Sequence, residues 1–73
     1  MKKRRDTKFL DKVILRIRHL RTEKNISQRH FQEDTGINIG RIEQGLRDFN
    51  MTTFYEICKH LDTNPEEFFS KGF

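Results

Sequence analysis

Residues 36–45, GINIGRIEQG, place three isoleucines, three glycines, one arginine and one glutamate in ten positions. Ile39 and Ile42 stand three apart, the spacing of one helix face. Gly40 interrupts them, and a glycine inside a helix costs about 1 kcal/mol relative to alanine. The pattern reads as a short helix, apolar on one side, that stops at a left-handed Gly45. With Ile39, Ile42 and Glu43 turned inward, Arg41 and Gln44 point away, and Asn38 and Gly40 flank them.

Four more helices surround this one, and no segment alternates as a strand would. Leu10, Val13, Ile14, Ile17 and Leu20 recur at helical spacing, so a long amphipathic helix is predicted from about residue 7 to 24. Asp6 or Thr7 can cap it, and Asn25 can stop it. Ser27 opens a second helix, Gln28 to about Asp34, anchored by Phe31. TGIN, residues 35–38, is the turn. Asn50 caps a fourth helix, whose Phe54, Ile57, Cys58 and Leu61 form the clearest apolar stripe in the chain. Asn64, Pro65 and Glu67 make a strong start for a fifth helix, leading into Phe68 and Phe69.

Seventy-three residues suit one small domain, residues 7–73, behind a basic N-terminal arm of residues 1–6. Such a chain buries little surface, so a compact helical bundle or a dimer is expected. The longest aliphatic run, Val13-Ile14-Leu15, is far short of the roughly 20 residues of a membrane span. No membrane partner is expected. The basic start MKKRR leads into DTKFLDK and not into the apolar stretch of a signal peptide. Together with a lone cysteine this gives a cytoplasmic expectation.

Charge is unevenly spread. Residues 1–21 carry nine Lys/Arg against Asp6 and Asp11, residues 22–47 balance, and residues 48–73 are net acidic, within an overall charge of +4. A basic first third and an acidic tail suit an anionic partner approached from one side.

Two short helices joined by a tight Gly-containing turn are the minimal helix-turn-helix, here about residues 27–45. The stretches LRTEKNISQRHF, TGIN, IGRIEQG and MTTFYEICKHLDTNPEEFF together resemble the Cro and lambda-repressor-like, or Xre-like, helix-turn-helix family over about residues 13–69. The resemblance implies a five-helix, all-α domain that binds double-stranded operator DNA, commonly as a homodimer, without a cofactor. It also implies that Glu43 turns inward to pair with Arg21 of the first helix. In the same way Gln28 inherits the phosphate contact beside the second helix's N-terminus.

One departure from the pattern bears on the reading edge. Ser27 and Glu43 stand sixteen apart, three fewer than the family's spacing, and the loss falls just after Asn38. Either Asn38 caps a shortened recognition helix, with Ile37 stapled to Ile42, or Thr35 caps a fuller helix and the turn collapses. Burial favours the first; in the second Ile37 faces outward, where it could touch a thymine methyl. In both, Arg41 can bind guanine by two hydrogen bonds, and Gln44 or Asn38 can bind adenine. Gly40 allows close approach, either to DNA or to the second helix. Arg29 and Arg47 are plausible phosphate contacts beside Gln28, and Lys2, Lys3, Arg4 and Arg5 can act as an arm on the backbone or in the minor groove.

Other chemistries find less support. His19, His30, His60 and Cys58 lack metal-ligand spacing, so no metal site is expected, and Cys58 reads as core. No nucleophile, base and orienting group are spaced as a unit, so no enzyme activity is expected. Phe68, Phe69 and Phe73 exceed what one short helix must bury, and either close the core or form a dimer seam. The functional expectation is a sequence-specific transcriptional regulator, with repression the expected role. The alternative is an antitoxin-like helix-turn-helix module that docks a protein partner with weak or no base reading.

Overall fold

The computed structural model describes residues 6–46 and 48–73, all of whose regular structure is helical. The helices are α1 (Thr7–Glu23), α2 (Gln28–Thr35), α3 (Ile39–Glu43), α4 (Met51–His60) and α5 (Pro65–Phe68). The arm residues Lys2 to Arg5, and Arg47, lie outside the described residues.

Every one of these helices starts on a side-chain cap. Asp6, Ser27, Asn38, Asn50 and Asn64 each accept the backbone N–H three residues on, at 2.8–3.2 Å. Asn64 also donates to the Glu67 carboxylate at 3.1 Å, tightening the first turn of α5. Each cap satisfies an N–H that the helix leaves without a partner, and contributes about 1 kcal/mol. The stops use left-handed residues: Asn25 (φ 58°) after α1, Gly36 (φ 77°) after α2, Gly45 (φ 73°) after α3 and Asp62 (φ 56°) after α4. Asp62 is the stop that the sequence reading did not single out.

The core gathers one stripe from each helix. Val13, Ile17 and Arg21 lie one turn apart on α1 and are buried; Phe31 of α2, Ile39 and Ile42 of α3, the α4 stripe with Leu61, and Phe68 meet them. Phe31 packs edge-on to His60 at 4.9 Å, setting α2 against α4. The C-terminal phenylalanines close the base of this core. Phe68 is fully buried and perpendicular to Phe54, Phe69 is half-buried between Phe54 and Phe73, and Phe9 of α1 stacks on Phe69 at 6.0 Å. Phe73 stays 43% exposed at the edge of the cluster.

Of the two turn geometries open from sequence, the chain adopts the Asn38 cap. Thr35 ends α2: its hydroxyl donates to the Phe31 carbonyl at 2.7 Å and accepts the Ile37 N–H at 3.1 Å. Ile37 is half-buried and packs on the core, so it does not stand outward. α3 accordingly spans five residues, a little over one turn, and α2 eight.

Candidate nucleic-acid interface

Five residues do not hold a helix by their own hydrogen bonds, because nucleation outweighs so few propagation steps. What fixes α3 is tertiary. Ile39 and Ile42 are buried in the core, and Glu43, 4% exposed, is tied to its surroundings on every side.

The Arg21 guanidinium meets Glu43 with two bonds, Nε to Oε2 at 2.7 Å and Nη2 to Oε1 at 2.9 Å. Its remaining arm, Nη1, donates to the Ile26 carbonyl at 2.6 Å. One side chain therefore joins α1, the turn before α2, and α3. Gln28 adds a bond from Nε2 to Glu43 Oε1 at 2.9 Å, and Arg18 stands 3.5 Å from the same oxygen on the solvent side. Burial alone would raise the Glu43 carboxyl pKa. The Arg21 and Gln28 hydrogen bonds, with the charges of Arg21 and Arg18, outweigh it and hold the pKa below the ordinary 4.5.

Gly40 lies under the same network. A Cβ there would sit 3.1 Å from the Gln28 carboxamide oxygen, so the glycine lets α2 and α3 close on each other. Gln28 thus faces α3 as well as solvent; its second amide hydrogen remains for an outside acceptor.

The other residues singled out in the sequence divide by exposure. Arg41 and Gln44 are exposed, and neither side chain has a hydrogen-bond or ionic partner among the described residues. Asn38 is half-buried with its carbonyl oxygen accepting the Arg41 N–H, and its amide hydrogens make no hydrogen bond among the described residues. Arg29 is exposed beside the N-terminus of α2 and reaches Glu33 at 3.2 Å, an i,i+4 surface pair of small energetic weight. Arg18, which completes the cationic surroundings of Glu43, is absent from the sequence reading. Its signal was its place three residues before Arg21, on the adjoining strip of α1.

The geometry is therefore a short helix, locked from behind by a buried ion pair, that presents one arginine and one glutamine to solvent. A tight turn separates it from a second helix with a basic N-terminal flank. The family model for the Cro/C1-type helix-turn-helix DNA-binding domain matches residues 16–70, most of the chain. Neither the curated proteins nor the solved structures gave a match. On the family match, the chain belongs to the Cro/C1-type helix-turn-helix DNA-binding domains and is a DNA-binding regulator in the general sense.

Proposed function

We propose that the chain is a sequence-specific transcriptional repressor that reads the major groove with α3, working in the cytoplasm as a homodimer on paired half-sites. The observation that carries this reading is Arg41, exposed and unpaired among the described residues on a helix whose back is fixed by Glu43. Arg41 supplies the two-point contact to guanine and Gln44 that to adenine. Asn38, with its amide hydrogens to donate, and the exposed part of Ile37 border them, while Gly40 keeps α3 close to α2. Gln28, Arg29, Arg47 and the arm of residues 1–6 hold phosphates.

A reader of about one turn touches few base pairs, so useful affinity requires two half-sites about one helical turn apart. Selection from a random duplex library tests both points. Enriched sites with a repeated or inverted half-site support the proposal; enrichment of single half-sites removes the dimer, and no enrichment removes base reading.

The shortness of α3 favours one second reading, a protein-docking module that has lost base reading. Titration with random duplex at two salt concentrations separates the two, because a DNA reader loses affinity steeply as salt rises and a docking module does not.

A further inference from the structure

On the side of α1 away from the core, a groove of about 520 Å³ runs between α1 and the C-terminal segment. Its floor is apolar: Leu15, 64% exposed, and Phe73, 43% exposed, face it. Its walls carry Lys12, Arg16, Arg18 and Lys71, and no Asp or Glu lines it. Lys12, Arg16 and Lys71 have no carboxylate within ion-pair distance among the described residues. Beyond Arg16 and Lys71 a second depression holds Glu23, Asp62 and Glu67, but none of these reaches either cation.

We infer that this groove docks an acidic amphipathic helix of a partner protein, its apolar face on Leu15 and Phe73 and its carboxylates on Lys12, Arg16 and Lys71. Charge complementarity selects the sign of the partner, and the exposed apolar floor selects against a purely polar one such as a phosphate backbone. Shape selects a helix. The lining from Lys12 to Thr22 spans eleven residues of α1, about 15 Å, which matches three turns of a docked helix with anchors at i, i+3 or i+4, and i+7. The groove is open along its outer side, so a small amphiphile lying in it would leave much of its surface in water. A partner helix covers itself with its own protein. Neither Arg41 nor Gln44 lines the groove, and the inference does not depend on how DNA is read.

Two synthetic fifteen-residue helices with the same leucine spacing test it, one flanked by glutamates and one by lysines, titrated against the full chain. The glutamate peptide is expected to bind at least about tenfold tighter than the lysine peptide. Leu15→Glu and Lys71→Glu should each weaken it about tenfold, with helicity checked by circular dichroism, while Lys59→Glu on α4 leaves it unchanged. Equal affinity for the two peptides overturns the inference. A Leu15→Glu chain that turns from dimer to monomer also overturns it, assigning the groove to a second copy. Tighter binding of laurate than of the glutamate peptide overturns it in favour of a small amphiphile.

Discussion

Arg21 and Glu43, twenty-two residues apart in the chain, meet through two hydrogen bonds of 2.7 and 2.9 Å at a site where both are almost wholly buried. Removing the carboxylate leaves a guanidinium held by the Ile26 carbonyl but otherwise uncompensated. Glu43→Ala should therefore destabilise the fold by about 3 kcal/mol in urea titration. Lys24→Ala, at the end of α1, removes a surface pair to Asp62 beyond α4 and should shift stability by less than about 0.5 kcal/mol. Equal losses in the two variants would mean that Glu43 is not an internal tie.

The same carboxylate gives the fold an acid limb with a defined sign. Its pKa is held below 4.5 in the folded chain, so the stability it contributes is fully present above 4.5 and is lost as pH falls through the folded value. Stability measured from pH 6 downward should fall below about pH 4.5, and Glu43→Gln should show a shallower fall over that window. Parallel curves would assign the acid loss to other carboxylates.

Gly40 and Gln28 should be energetically coupled. Alanine at 40 gains helix propensity, but its Cβ presses on the Gln28 carboxamide that bonds Glu43. Gly40→Ala alone is expected to be neutral within about 0.5 kcal/mol, and to stabilise a Gln28→Ala chain by about 1 kcal/mol. A double-mutant cycle that closes to zero would show that the glycine is not there for Gln28.

For DNA, Arg41→Ala should weaken the selected site by about 1–3 kcal/mol and random duplex far less, relaxing preference at one base pair. Arg29→Ala should weaken both alike and flatten the salt dependence. If Arg41→Ala lowers both affinities equally, Arg41 holds only the backbone and specificity must lie with Gln44 and Asn38.

Cys58 offers a check on the core that needs no DNA. Burial lifts its thiol to about 11, so little thiolate exists at neutral pH and the sulfur is enclosed. Alkylation of the native chain should track global unfolding and accelerate sharply in urea. Fast labelling without denaturant would show that α4 opens locally.

Caps and apolar spacing were legible in the sequence because both are local. Asp6, Ser27, Asn50 and Asn64 stand before periodic runs, and Ile39 and Ile42 share a face at any helix length. The Arg21–Glu43 pair became legible only through the family resemblance, since spacing alone does not bring residues of two helices together. The roles of Gln28 and Arg18 stayed hidden for a related reason. Each depends on how closely α2 and α1 approach α3, where Gly40 leaves room for the Gln28 carboxamide and Arg18 comes within 3.5 Å of Glu43. The Asn38 oxygen illustrates the same limit: its capping bond to the Arg41 N–H follows from the turn geometry that sequence left open.

The Gly36 turn and the Arg21–Glu43 pair hold α3 in place without asking anything of residues 41 and 44. On the reading proposed above, recognition falls to Arg41 and to Gln44 just past the helix end, and folding to Ile39, Ile42 and Glu43. Exchanging the two exposed positions should then change the DNA sequence preferred while leaving the buried ties of α3 intact. A peptide copied from residues 36–45 would carry the same letters and no stable helix, because the arginine that ties them down is left behind in α1.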